Sequence, residues 1–179
     1  MTTLSQFHAA VVASVALRFG DNINTVLWYE QGETASGQPL PIITPAVILE
    51  IESAEEGDDI GDDRAPLLMH ITAYCILGQQ TDNLQMEVRN FASQLFALIR
   101  KNKWTLGHSV SFPGGITLGP GKFDPEKNGY ESWFVSWDQT IYLGDNVWDS
   151  TGIPPQEVWL GLSPEIGLAF VDKYTRIVP

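Results

Sequence analysis

The chain has 179 residues, one domain's worth of sequence, and 44% of them are apolar, too many for a disordered protein. Ten Lys and Arg against 22 Asp and Glu leave a formal charge of −12. Sequence-specific duplex binding needs a basic patch that displaces counterions, so that function class is excluded at the outset.

Leu4, Phe7, Val11, Val15 and Phe19 recur at three- and four-residue steps, which predicts a helix over Leu4 to Arg18. Ser5 is the expected cap, and Gly20 is placed to end the helix in a left-handed conformation. Asn24 to Glu30 has strand composition, and Gln31 to Pro41 reads as a loop. Val47 to Ile51 and Leu67 to Leu77 are predicted strands around an acidic, glycine-containing loop from Glu52 to Asp63, a long hairpin. Asp82, with Gln85 three residues on, fits a capping box for a helix reaching Lys101. Its apolar stripe is Leu84, Val88, Phe91, Leu95 and Leu98, supported by Phe96 and Ile99. Arg100, Lys101 and Lys103, the only basic cluster, are expected to complement that helix's C-terminal dipole. Ile116 to Leu118 is a short strand between glycine turns, and Glu131 to Leu143 a longer one with large residues on both faces. Helices and strands are segregated rather than alternating. The expected fold is therefore α+β, a mostly antiparallel sheet with two main helices on one face. Residues 1–144 form the domain, and 145–179 a C-terminal extension that packs on it or on a neighbouring subunit.

Candidate chemistry is sparse. His8, His70 and His108 lie far apart with none of the spacings of zinc sites. Ser163 lacks the following glycine of a nucleophile elbow. Cys75 sits in an apolar strand, without the electropositive setting of a reactive thiol, and a single cysteine allows no internal disulfide. The glycines from Gly114 to Gly121 lack a P-loop's Lys-Ser/Thr pair and are expected at strand-end turns. The acidic segment holds Glu52, Glu55, Glu56, Asp58, Asp59, Asp62 and Asp63, without the spacing of a calcium loop. No catalytic, metal or cofactor site is expected. No apolar run reaches the ~20 residues of a membrane span, and the opening residues, Met1 to Gln6, suggest no signal peptide. Trp148, Trp159 and Phe170 in the extension form either a small second core layer or anchors on a neighbouring subunit.

The opening helix Phe7-His8-Ala9-Ala10-Val11-Val12-Ala13, the strand end Ala73-Tyr74-Cys75-Ile76-Leu77-Gly78 and the helix Asn83 to Arg100 add local texture to this element order. Over roughly Met1 to Leu143 the chain resembles the tail terminator proteins of long-tailed bacteriophages. The resemblance implies a non-enzymatic virion protein, assembled in the host cytoplasm as a ring, usually a hexamer. Such a ring caps the head-proximal end of the tail tube and meets the head-tail connector, so its partners are itself, the tail tube protein and the connector protein. Within a ring, the seven carboxylates from Glu52 to Asp63 would line the central channel or lie on the outer rim as an ordinary solvated loop. Other readings stay open: another head-tail connector or neck protein, an unrelated small cytosolic binding domain, or a small enzyme pairing His70 with an acidic partner. Histidines and carboxylates gathered in one cleft would favour the enzyme.

Overall fold

A computed structural model describes residues 2–29, 42–121, 129–147 and 157–177. The chain divides into two compact units, Met1–Val147 and Trp148–Pro179. In the first, helix α1 (Leu4–Phe19) is followed by strands β1 (Thr25–Trp28), β2 (Ala46–Glu56) and β3 (Ala65–Gly78). Helix α2 (Leu84–Ile99) then leads to strands β4 (Gly114–Pro120) and β5 (Tyr130–Leu143). The five strands form one sheet in the order β1-β2-β3-β5-β4, antiparallel throughout except for the parallel pair β1-β2. This is the α+β fold expected, and its two helices pack on one sheet face.

Strand alternation builds that core. Val47 and Leu49 of β2, Met69, Ile71, Ala73 and Cys75 of β3, and Val135, Trp137 and Ile141 of β5 all point to the helices and are buried. From α1 come Phe7, Val11, Val15 and Phe19, and from α2 Val88, Phe91, Ala92, Leu95 and Ile99. Phe19 and Phe91 meet edge to face, 4.9 Å between ring centres, and join the helices. The α2 stripe is thus closed by Ala92 and Ile99, while Leu98 is only half-buried. The opposite sheet face carries a smaller buried cluster of Ala46, Ile48 and Ile76 beside Tyr74 and Tyr130.

Helix ends differ from expectation. The N-cap of α1 is Thr3, not Ser5: its hydroxyl accepts from the Gln6 N–H, and the Gln6 side chain accepts from the Thr3 N–H. Gly20 does end the helix at positive φ (+53°), but its ψ of −129° lies outside the left-handed helical basin. At α2 no capping box forms at Asp82. The helix starts one residue later, behind a left-handed Asn83 that makes no side-chain cap bond. Nor do the basic residues lie in its last turn. Arg100 is the C-cap, Lys101 turns at φ +63°, and the Lys103 ammonium lies 4.5 Å from the Phe112 ring centre.

One buried side chain ties the α2-β4 connection to the sheet. Gln139 is 1% exposed. Its Oε1 accepts from the indole N–H groups of Trp104 (2.7 Å) and Trp137 (3.2 Å). Its Nε2 donates to the carbonyls of Asn102 (3.2 Å) and Ser111 (2.9 Å). Indoles only donate and carbonyls only accept, so this amide orientation alone satisfies all four groups.

The second unit contains a two-stranded pair, β6 (Trp159–Leu160) with β7 (Thr175–Arg176), and a 3-10 segment from Leu168 to Lys173. No side chain among its described residues is buried.

Candidate functional site

The acidic stretch is not one loop. Strand β2 runs on to Glu56, so Glu52, Glu55 and Glu56 belong to the hairpin's first strand. Carboxylates are poor strand formers, but pairing with Leu67–His70 of β3 decides the conformation here. A register shift between Ile51 and Ser53 puts a β-bulge at Glu52. Only residues 57–64 then form the connection, with Asp58, Asp59 and Asp63 exposed.

Asp62 departs furthest from the expectation of a solvated carboxylate. It is 5% exposed and Arg64 7%. The guanidinium donates from Nε (2.8 Å) and Nη2 (2.5 Å) to Asp62 Oδ2, and the Arg64 N–H donates to Oδ1 (3.2 Å). The hydrogen bond from Arg64 holds the Asp62 carboxyl below its ordinary range. Arg64 also lies over the Tyr142 ring, 5.1 Å from its centre, and the Asp62 carbonyl accepts from the Val147 N–H. Asp62 pins the connection to β5 rather than presenting charge to water.

The sheet face away from the helices gathers side chains far apart in sequence. His70 of β3 stands opposite Asp138 of β5, and its Nδ1 lies 2.5 Å from Asp138 Oδ1. Its Nε2 is 3.8 Å from Glu55 of β2. Beside them the Thr72 hydroxyl donates to Glu52 (2.6 Å), and the Thr117 and Ser136 hydroxyls pair at 2.8 Å. Glu52, His70, Thr72, Ser136 and Asp138 border a shallow cavity of about 180 Å³. Gly115 makes room for it: its φ is +57°, and a Cβ there would come 2.9 Å from Asp138 Oδ2. The glycines expected at turns therefore lie partly inside β4, one of them against a carboxylate.

The cluster's chemistry follows from where the imidazole points. The hydrogen bond to Asp138 comes first, then its charge and those of Glu55 and Glu52; together these raise the His70 pKa above its ordinary value of 6.5. Carboxylates near both nitrogens favour the cationic form of the ring. Asp138 engages Nδ1, Glu55 lies beyond hydrogen-bond distance of Nε2, and the Thr72 and Ser136 hydroxyls pair with Glu52 and Thr117 rather than with the ring. The other two histidines are elsewhere: His8 stacks on Trp28 at 4.1 Å, and His108 lies in the exposed 3-10 turn Gly107–Ser109. Among the described residues, no three His, Cys, Asp or Glu side chains are grouped to hold a metal ion. Burial pushes the Cys75 thiol far above its ordinary range.

Of the extension's aromatics, Trp159 is half exposed, its indole N–H donating to Glu157 (3.3 Å), and Phe170 is 37% exposed. Trp148 lies outside the described residues. No described helix is long and apolar enough to cross a membrane. Searches against protein-family models and against curated proteins found no match.

Proposed function

We propose that the chain is a structural virion protein. It assembles as a ring, a hexamer by resemblance, at the head-proximal end of a phage tail tube, and it joins the tube to the head connector. The observation that carries this reading is the second unit. Its described part, 157–177, buries no side chain, yet it exposes eight large apolar ones between Trp159 and Ile177. Two dipeptide strands and a 3-10 segment bury none of these side chains, and exposed apolar surface beyond scattered single residues marks an interaction site. Trp159 and Phe170 are the aromatic anchors of that contact.

The carboxylates of the hairpin fit the same reading. Glu52, Glu55, Glu56, Asp58, Asp59 and Asp63 remain exposed, whereas Asp62 is taken up by Arg64. In a ring with this arm turned inward, they would give the channel a negative wall that repels DNA phosphates and lets a genome pass without adhering. No nucleophile-base pair is called on, and the partners are other protein surfaces.

Removing the protein from an assembling phage tests the role. Without a terminator, tubes should run on past normal length and fail to join heads. Tails of normal length that still fail to join would point to a neck protein. Normal tails on filled, infectious particles would contradict both.

A further inference from the structure

Strand β2 has two halves with different support. Ala46 to Leu49 are paired on both sides, with β1 and with β3, and all four are buried. Beyond Leu49 no described strand lies on the β1 side, so the span that follows the bulge at Glu52 is an edge paired with β3 alone. Its residues, Glu52 to Glu56, are all exposed, and three of the five are glutamates. Such charges guard an edge against other chains, but they also repel one another. At the far end the Gly57 N–H donates to the Pro66 carbonyl (3.1 Å), and the Asp62-Arg64 pair pins the connection beyond it. Fixed at both ends, the span can open only between them.

We infer that His70 is a pH-dependent clasp on this outer span of β2. The ring stands where three strands meet: β3 carries it, Ser53 of β2 is its neighbour on one side, and Asp138 of β5 lies opposite on the other. Contact with Asp138 Oδ1 (2.5 Å) holds Nδ1 and leaves Nε2 on the side of Glu55, 3.8 Å away. Glu52, which accepts from the Thr72 hydroxyl (2.6 Å), is the third carboxylate that acts on the ring. Strand β4 brings Gly115 and Thr117 to this face, neither of which titrates, and the other side of the sheet is apolar core. As a cation the ring offsets the three acidic neighbours; once neutral, it leaves them to repel across the β2-β3-β5 junction. The folded pKa is raised, so the clasp is closed below the ordinary 6.5 and opens as pH climbs through the folded value. His70 is 39% exposed, Asp138 45% and Glu55 66%. Pairs so open to water are individually weak, so the clasp loosens one span and leaves the sheet folded.

Amide hydrogen exchange on the full chain tests this, each rate being divided by the unstructured-chain rate at the same pH. The clasp works within a single copy, so neither tails nor a ring is needed. Between about pH 6 and pH 9, protection of Ser53 to Glu56 and of their partners Leu67 to His70 should fall about two- to fivefold, the range that exposed ion pairs support. Ala46 to Leu49, paired on both sides, should hold steady. His70→Gln should abolish the response. Asp138→Asn should lower the ring's titration midpoint, read from its own proton resonances, and carry the protection midpoint down with it. That comparison decides the matter even where His70→Gln is too unstable to study. Protection that stays constant in the unmodified chain, an equal response in His70→Gln, or a protection midpoint that stays put while the ring's moves would each overturn the inference.

Discussion

At the scale of single residues, the structure rests on polar groups whose partners are distant in sequence. Gln139 is the clearest case, because two indole donors and two backbone carbonyls depend on one amide. Gln139→Leu keeps the volume but strands all four, and each buried orphan costs about 1–3 kcal/mol. We expect a loss of about 3 kcal/mol or more in urea unfolding, and a loss below about 1 kcal/mol would mean that the network is dispensable. His70 gives a pH signature with a definite sign. Its folded pKa is raised, so its contribution is fully present below the ordinary 6.5 and is lost as pH rises through the folded value. Urea midpoints should therefore fall as pH is taken upward from about 6.5, and His70→Gln should flatten that slope. An equal slope in the variant would detach His70 from it. The sequence offers no sign of the Gln139 network, and it suggests an acidic partner for His70 without identifying it. His70 and Asp138 are 68 positions apart, and only the β3-β5 register brings them together. In the same way, Asp62 reads as one more solvated carboxylate until Arg64 is seen folded back on it.

Elements were far more legible than contacts. Periodicity locates both helices and β5, while composition and flanking turn residues mark the other four strands of the main sheet. Errors gathered at the ends, where one or two hydrogen bonds decide. Thr3 with Gln6 carries the capping signature at α1 and forms the box, two residues before the expected cap Ser5. Asp82 with Gln85 carries the same signature at α2 without forming the box. Strand β2 outran its predicted end because Glu52 to Glu56 look like loop composition, and cross-strand pairing with β3 prevails over that local preference. The α2 stripe was readable, and it can be tested. Leu95 is fully buried, so Leu95→Ala should destabilise the protein by about 2–5 kcal/mol. A change under about 0.5 kcal/mol in denaturant unfolding, far below that range, would place the stripe outside the core.

For the whole molecule, six exposed carboxylates gather along the β2-β3 hairpin, and eight large exposed apolar side chains gather in 157–177. The exposed arm carboxylates make the channel reading testable. Replacing Asp58, Asp59 and Asp63 with Lys leaves the Asp62-Arg64 pair untouched. Tails should still assemble, and DNA ejection should slow because phosphates meet a cationic wall. Normal ejection from such virions would put the arm outside the channel. The central claim is the ring itself, and electron microscopy of purified tails tests it most directly. A ring containing this chain, one copy thick, should sit at the head-proximal end of every tube and be missing from tails made without the protein. Tubes that end there without this chain, or carry it elsewhere along the tail, would contradict the account.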